Sequence, residues 1–167
     1  MQIIIEGLAL AAFSMLKSIT KDPLLKQLLH YVIRDEARHV TFGINYLEDY
    51  VKTLTQDEIN DRANFAYEAC VISRERLINT KAEQRFLKMT ESEARDFTLS
   101  TSSFAMFRNF LFSRVIPNLS RIGLLTDEVR PKFDALGLLE YEQAPDDFEC
   151  DWAELKKPLE SFDEVAT

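Results

Sequence analysis

Asp35-Glu36-Ala37-Arg38-His39 gathers into five positions the side chains that bind transition metals. Glu36 and His39 are three residues apart, so on a helix both project from one face. A carboxylate oxygen and an imidazole nitrogen at that spacing can hold one ion. A bare Glu-x-x-His arises by chance in roughly one chain in five of this length, the form Asp-Glu-x-Arg-His in on the order of one in a thousand. The plainer reading is an exposed helix face of mixed charge with i,i+4 pairs. The setting argues against it, because the apolar stripe of Leu28, Leu29, Val32 and Ile33 runs through the segment into Val40, Phe42 and Ile44.

Glu6 is the second chemical clue. It sits among Ile3, Ile4, Ile5, Leu8, Ala9 and Leu10. Such a carboxylate either reaches solvent at a helix end or is buried with a partner. A buried, unpaired carboxylate costs several kcal/mol, so burial demands a cation, a set of donors or a metal. The chain has 2 His. His30 lies about two and a half helical turns before His39 and outside its cluster, and reads as a surface or packing residue. Gln27 stands three positions before His30, so there is no second Glu-x-x-His.

These residues need helices to position them, and the composition supplies helices. The chain has 167 residues with 4 Gly and 5 Pro, too few for a turn-rich β-sandwich or barrel. One domain with a real core is expected at this length. The pattern predicts an all-α chain. A first helix covers residues 2–18. Asp22-Pro23 caps a second, reaching about residue 53. Thr55-x-x-Glu58 and Thr90-x-x-Glu93 are capping boxes that open a third, to about residue 79, and a fourth, to about residue 115 before Pro117. A short helix follows Thr126. Residues 1–140 read as the helical domain and residues 141–167 as an acidic, mostly irregular tail.

The apolar start, residues 1–16, lacks a basic leader, contains Glu6, and is too short for a membrane span of about 20 residues. It opens without a polar cap, as if an upstream segment were missing. A net charge of -8 disfavours nucleic acid. Cys70 and Cys150 form no CxxC and fit a reducing cytoplasm. A cytoplasmic protein with no membrane or nucleic-acid partner is the expectation.

Glu6 followed, one helix later, by the stretch Asp35 to Gly43 (DEARHVTFG) resembles half of the ferritin-like di-iron carboxylate site, most closely its ribonucleotide-reductase-small-subunit-like branch. The resemblance covers about residues 1–54. That family builds its site in a four-helix bundle from four carboxylates and two His. The resemblance implies Glu6, Glu36 and His39 as metal ligands. It implies Asp35 as a carboxylate hydrogen-bonding a ligand His of the opposite half, and Arg38 as a cation near the carboxylates. A complete site would hold two Fe ions, or Mn and Fe, and activate dioxygen to attack a small-molecule substrate.

This chain carries half of that ligand set. Either it is the C-terminal half of a longer oxygenase-like protein, or two copies pair about a twofold axis and restore four Glu and two His. The hydrophobic first helix favours the homodimer, since a half-bundle would expose a large apolar patch. Leu8, Ala12, Val32 and Phe42 are expected to keep water from the site. Phe104, Phe107, Phe110 and Phe112 read as core. Three functions stay open: a ferritin-like di-metal oxidoreductase or oxygenase, a metal-binding helical dimer without turnover, and an inactive truncated fragment. A zinc peptidase is disfavoured because neither His is followed by Glu.

Overall fold

The computed structural model describes residues 2–78 and 80–144, and among them every regular element is helical. They are α1 (Gln2–Ile19), α2 (Pro23–Val51), α3 (Gln56–Leu77), α4 (Lys81–Leu87), α5 (Glu91–Ser100), α6 (Ser102–Arg121), α7 (Arg130–Ala135) and a final 3-10 turn, Leu139–Tyr141. The acidic tail from residue 145 onward, with Cys150, lies outside the described residues. Among those described, no helix is long and apolar enough to cross a membrane.

The long helices start where their caps dictate. The Asp22 carboxylate accepts the N–H groups of Leu24 and Leu25 at 2.9 and 3.1 Å, and Pro23 occupies the first turn, where a missing N–H costs nothing. Thr55 with Glu58, and Thr90 with Glu93, complete the two capping boxes.

α1 is the central element and packs along both α2 and α6. Leu10 and Ala11 are fully buried, together with Val40 and Ile44 of α2 and Val115 and Ile116 of α6. Gly7 sets the α1–α6 approach: a Cβ there would stand 3.1 Å from Val115 Cγ2. α3 contributes a small-residue inner face, Ala63, Ala66 and Cys70. The Cys70 thiol is buried deeply enough to be pushed up to about 12.

Two expectations about the chain's second half are corrected. The helix expected from residue 90 to 115 is two helices, broken at Thr101. That residue is extended (φ -75, ψ 141), donates its hydroxyl to the Thr98 carbonyl at 2.8 Å and accepts the Phe104 N–H at 3.2 Å. It closes α5 and caps α6 at once. Pro117, expected to end the helix, lies inside α6. An interior proline costs about 3 kcal/mol. Burying Val115, Ile116 and Leu119 returns about 1.5–3 kcal/mol per side chain, so packing wins. The helix ends instead at Gly123 (φ 79), where the Leu124 N–H donates to the Leu119 carbonyl at 2.9 Å and the Gly123 N–H to that of Ser120 at 3.0 Å.

Beyond α6 the chain folds back onto the body. The Phe133 ring meets Tyr67 of α3 edge-on at 5.4 Å. Glu142 receives Arg130 at 2.6 and 2.9 Å and the Ser120 hydroxyl at 2.9 Å. Phe112 is core, as expected, with Phe107 and Phe110 packed against it.

Candidate metal centre

Glu6 leaves α1 toward α2, and Glu36 leaves α2 at the level where the two helices pass. His39 follows one turn later. One ligand atom from each of the three residues lies within 4.8 Å of the other two. Glu36 and His39 touch directly, Oε2 to Nδ1, at 3.2 Å. The three residues expected as ligands are therefore brought together by two helices.

Their electrostatics belong to a crowded acidic site. The hydrogen bond with Glu36 raises the pKa of Glu6 above its ordinary value. Burial and the Glu36 charge push the same way, and His39 pulls against them. Two carboxylates brought this close present an oxygen pair of the kind a divalent cation can bind.

The centre is open on one side. Glu36 is 24% exposed and His39 60%. Of the side chains expected to exclude water, Leu8, Ala12 and Val32 are half-buried, but Phe42 is 71% exposed. Within one chain that shielding is absent, because Phe42 lies on the outer face of α2 rather than toward α1. Asp35 and Arg38 also lie on the solvent side and engage each other at 3.2 Å, with Arg34 at 3.7 Å from Asp35. Neither belongs to the cluster that Glu6, Glu36 and His39 form.

His30 stands apart from the cluster. It is buried between α1 and α2, with Lys17 Nζ 3.3 Å from its Nδ1 and the Tyr31 ring edge-on at 5.4 Å. Burial lowers the pKa of Lys17. His30 thus packs the helix pair.

Two features were not anticipated from the sequence. One is a cavity of about 330 Å³ between α1 and α3, lined chiefly by Ile4, Ile5, Leu8, Phe65 and Ile72, with Arg76 in its wall. Ile5 precedes Glu6, so the cavity and the Glu6 carboxylate occupy adjoining faces of α1. The other is an exposed apolar row along α2, containing Leu24, Leu28, Phe42, Tyr46 and Tyr50. Their spacing by threes and fours was visible in the sequence, but which flank of α2 was covered was not.

No family model, curated protein or solved structure matches the chain. The ferritin-like resemblance therefore stands on Glu6 and on residues 35–43.

Proposed function

We propose that the chain carries half of a ferritin-like di-metal carboxylate centre and acts, once the centre is completed by a second chain, as an oxidoreductase on a small molecule. The observation that carries this reading is the convergence of Glu6, Glu36 and His39 from two helices to within 4.8 Å. Two carboxylates and an imidazole suit iron or manganese. Glu6 and Glu36 would each bind through a carboxylate oxygen and His39 through a ring nitrogen. Two iron ions, or manganese and iron, would supply the electrons that reduce dioxygen.

The chain's own residues account for the remaining parts. Glu6 and Glu36 would offer their carboxylate oxygens, whose negative charge would offset that of the cations. Glu36 also fixes the His39 ring through the 3.2 Å contact at Nδ1. Leu8, Ala12 and Val32 border the site with apolar surface, and a covering chain would add Phe42 to that wall. The cavity beside Ile5, with its mostly apolar lining, suits an apolar small molecule.

The exposure of His39 favours a second reading, a metal-binding helical protein without turnover. Both readings require metal, and oxygen consumption separates them. Metal analysis of protein purified under iron-replete conditions tests the shared part. Two iron or manganese ions per pair of chains are expected, and Glu36→Ala should lose them. Unchanged metal content in that variant, or none in the parent, would end the assignment.

A further inference from the structure

The outer face of α2 carries a regular row of exposed residues. Leu28, Val32, Asp35, His39, Phe42 and Tyr46 follow one another at spacings of four and three, the repeat by which one helix seats against another. Leu24 and Tyr50 extend the row at its two ends. All are exposed except Val32, which is half-buried. The inner positions Leu29, Ile33, Ala37, Val40 and Ile44 are meanwhile committed to the core. Tyr46 and Tyr50 are already stacked, 6.2 Å apart and 9° from parallel.

We infer that this row is the interface with a second copy of the chain, running antiparallel about a twofold axis at the level of Ala37. The order of residues carries the argument. An antiparallel twin centred there sets Leu24 against Tyr50, Leu28 against Tyr46, Val32 against Phe42 and Asp35 against His39. Each apolar side chain meets an apolar one, and the acid meets the imidazole. A shift of one turn would set Asp35 or His39 against an apolar residue. Only a second copy matches the row residue for residue, because a twofold contact uses the same patch twice.

The size fits as well. From Leu24 to Tyr50 the row is about 39 Å long. Its exposed side chains present on the order of 600 Å² of apolar surface per copy, near the about 800 Å² per partner of a standard interface. The consequence rests on the metal-site reading: the axis at Ala37 passes one residue from Glu36, so the twin brings its own Glu6, Glu36 and His39 to the open side of the first set. The seam itself requires no metal.

The test uses the full chain with Cys150→Ser as background and a chelator throughout, so its outcome is independent of metal. Solution mass by light scattering is expected to give a dimer, and Phe42→Asp to weaken it by about 30-fold or more. Leu28→Cys and Tyr46→Cys then report the register. Positions 28 and 46 are about 27 Å apart along one helix, as are the two copies of either position across the antiparallel pair. A short bis-maleimide should therefore link chains in the double variant and in neither single variant. A monomeric parent overturns the inference, as does a dimer that cross-links in the single variants or not at all. A dimer that behaves as expected but never takes up metal would leave the seam standing and remove the metal centre.

Discussion

Replacing Glu36 with Gln should raise stability without metal and abolish the stabilisation that metal confers. Glu6 and Glu36 present ligand oxygens within 4.8 Å of each other. At pH 8, above the carboxylate range, two charges at that distance repel by about 1 kcal/mol if screened as in water, and by about 3.5 kcal/mol at an effective dielectric of 20. Glu36 is partly solvated, so the lower figure applies. The substitution also weakens the pair with His39, worth about 0.3–0.5 kcal/mol for a solvent-screened contact on one helix. The balance is a gain of about 0.5 kcal/mol, or about 1–2 °C in Tm for a domain of this size. Metal reverses the order. At one hundred times its Kd a bound ion stabilises the parent by about 2.7 kcal/mol. A variant binding a hundredfold more weakly gains about 0.4 kcal/mol under the same conditions. Thermal unfolding of both proteins, in chelator and in ferrous or manganous ion, reads all four numbers. A variant less stable than the parent in chelator would show that the carboxylate serves the fold. Equal metal-induced shifts would show that Glu36 is not a ligand.

Asp35→Asn should weaken metal binding by roughly 10- to 100-fold if the acid supports His39 of the twin, and titration at wild-type affinity would refute that role. Gly7→Ala should destabilise by about 1 kcal/mol: the helix gains up to about 1 kcal/mol in propensity, but overpacking against fully buried Val115 at 3.1 Å costs about 1–3 kcal/mol. Chemical denaturation decides, and a more stable variant would mean that α6 yields freely. Arg130 holds the Glu142 carboxyl below its ordinary 4.5, so its contribution is present above that pH and fades as pH falls through the depressed value. Glu142→Gln should therefore cost about 1 kcal/mol at neutral pH, discounted for partial exposure, and the difference should close in acid; a pH-independent difference would refute the ion pair. Cys70, with its thiol near 12, should resist alkylation at pH 8 until the protein unfolds, and rapid labelling of the folded protein would place it outside the core.

The sequence was most readable where local chemistry decides the outcome. Asp22-Pro23, Thr55 with Glu58, and Thr90 with Glu93 open helices because their side chains satisfy the first N–H groups whatever the rest of the chain does. The Glu6, Glu36 and His39 cluster was legible for a related reason. A three-residue spacing on α2 and a lone carboxylate in an apolar helix leave few geometries in which the carboxylate is partnered. Tertiary packing hid the rest. Pro117 is a helix breaker by local rules, yet Val115, Ile116 and Leu119 bury enough surface to carry α6 through it. Thr101 was a cap inside a run of Ser and Thr, with no Glu three residues later to mark it. Phe42 reads as core by hydropathy alone, and only the packing of α1 and α6 shows that it lies on the uncovered side.

The register of α2 ties the core to the chemistry. Leu29, Ile33, Ala37, Val40 and Ile44 face inward, while Leu28, Asp35, His39, Phe42 and Tyr46 face outward. Glu36 falls on the boundary, near enough to α1 to meet Glu6 and near enough to the outer row to meet His39. Successive residues are about 100° apart around the helix, so neither Asp35 nor Ala37 could do both. The inward row fixes the rotation of α2 by burying it against α1, and that rotation leaves His39 on the open flank. The exposure of the imidazole thus follows from the rotation that buries the inward row. The same packing that gathers Glu6, Glu36 and His39 leaves Asp35, His39 and Phe42 on the exposed side of α2. An apolar row with one acid and one imidazole at its centre is costly to leave in water, and it is self-complementary in the antiparallel sense. Under the proposed pairing, one contact would both cover that row and bring two copies of Glu6, Glu36 and His39 together.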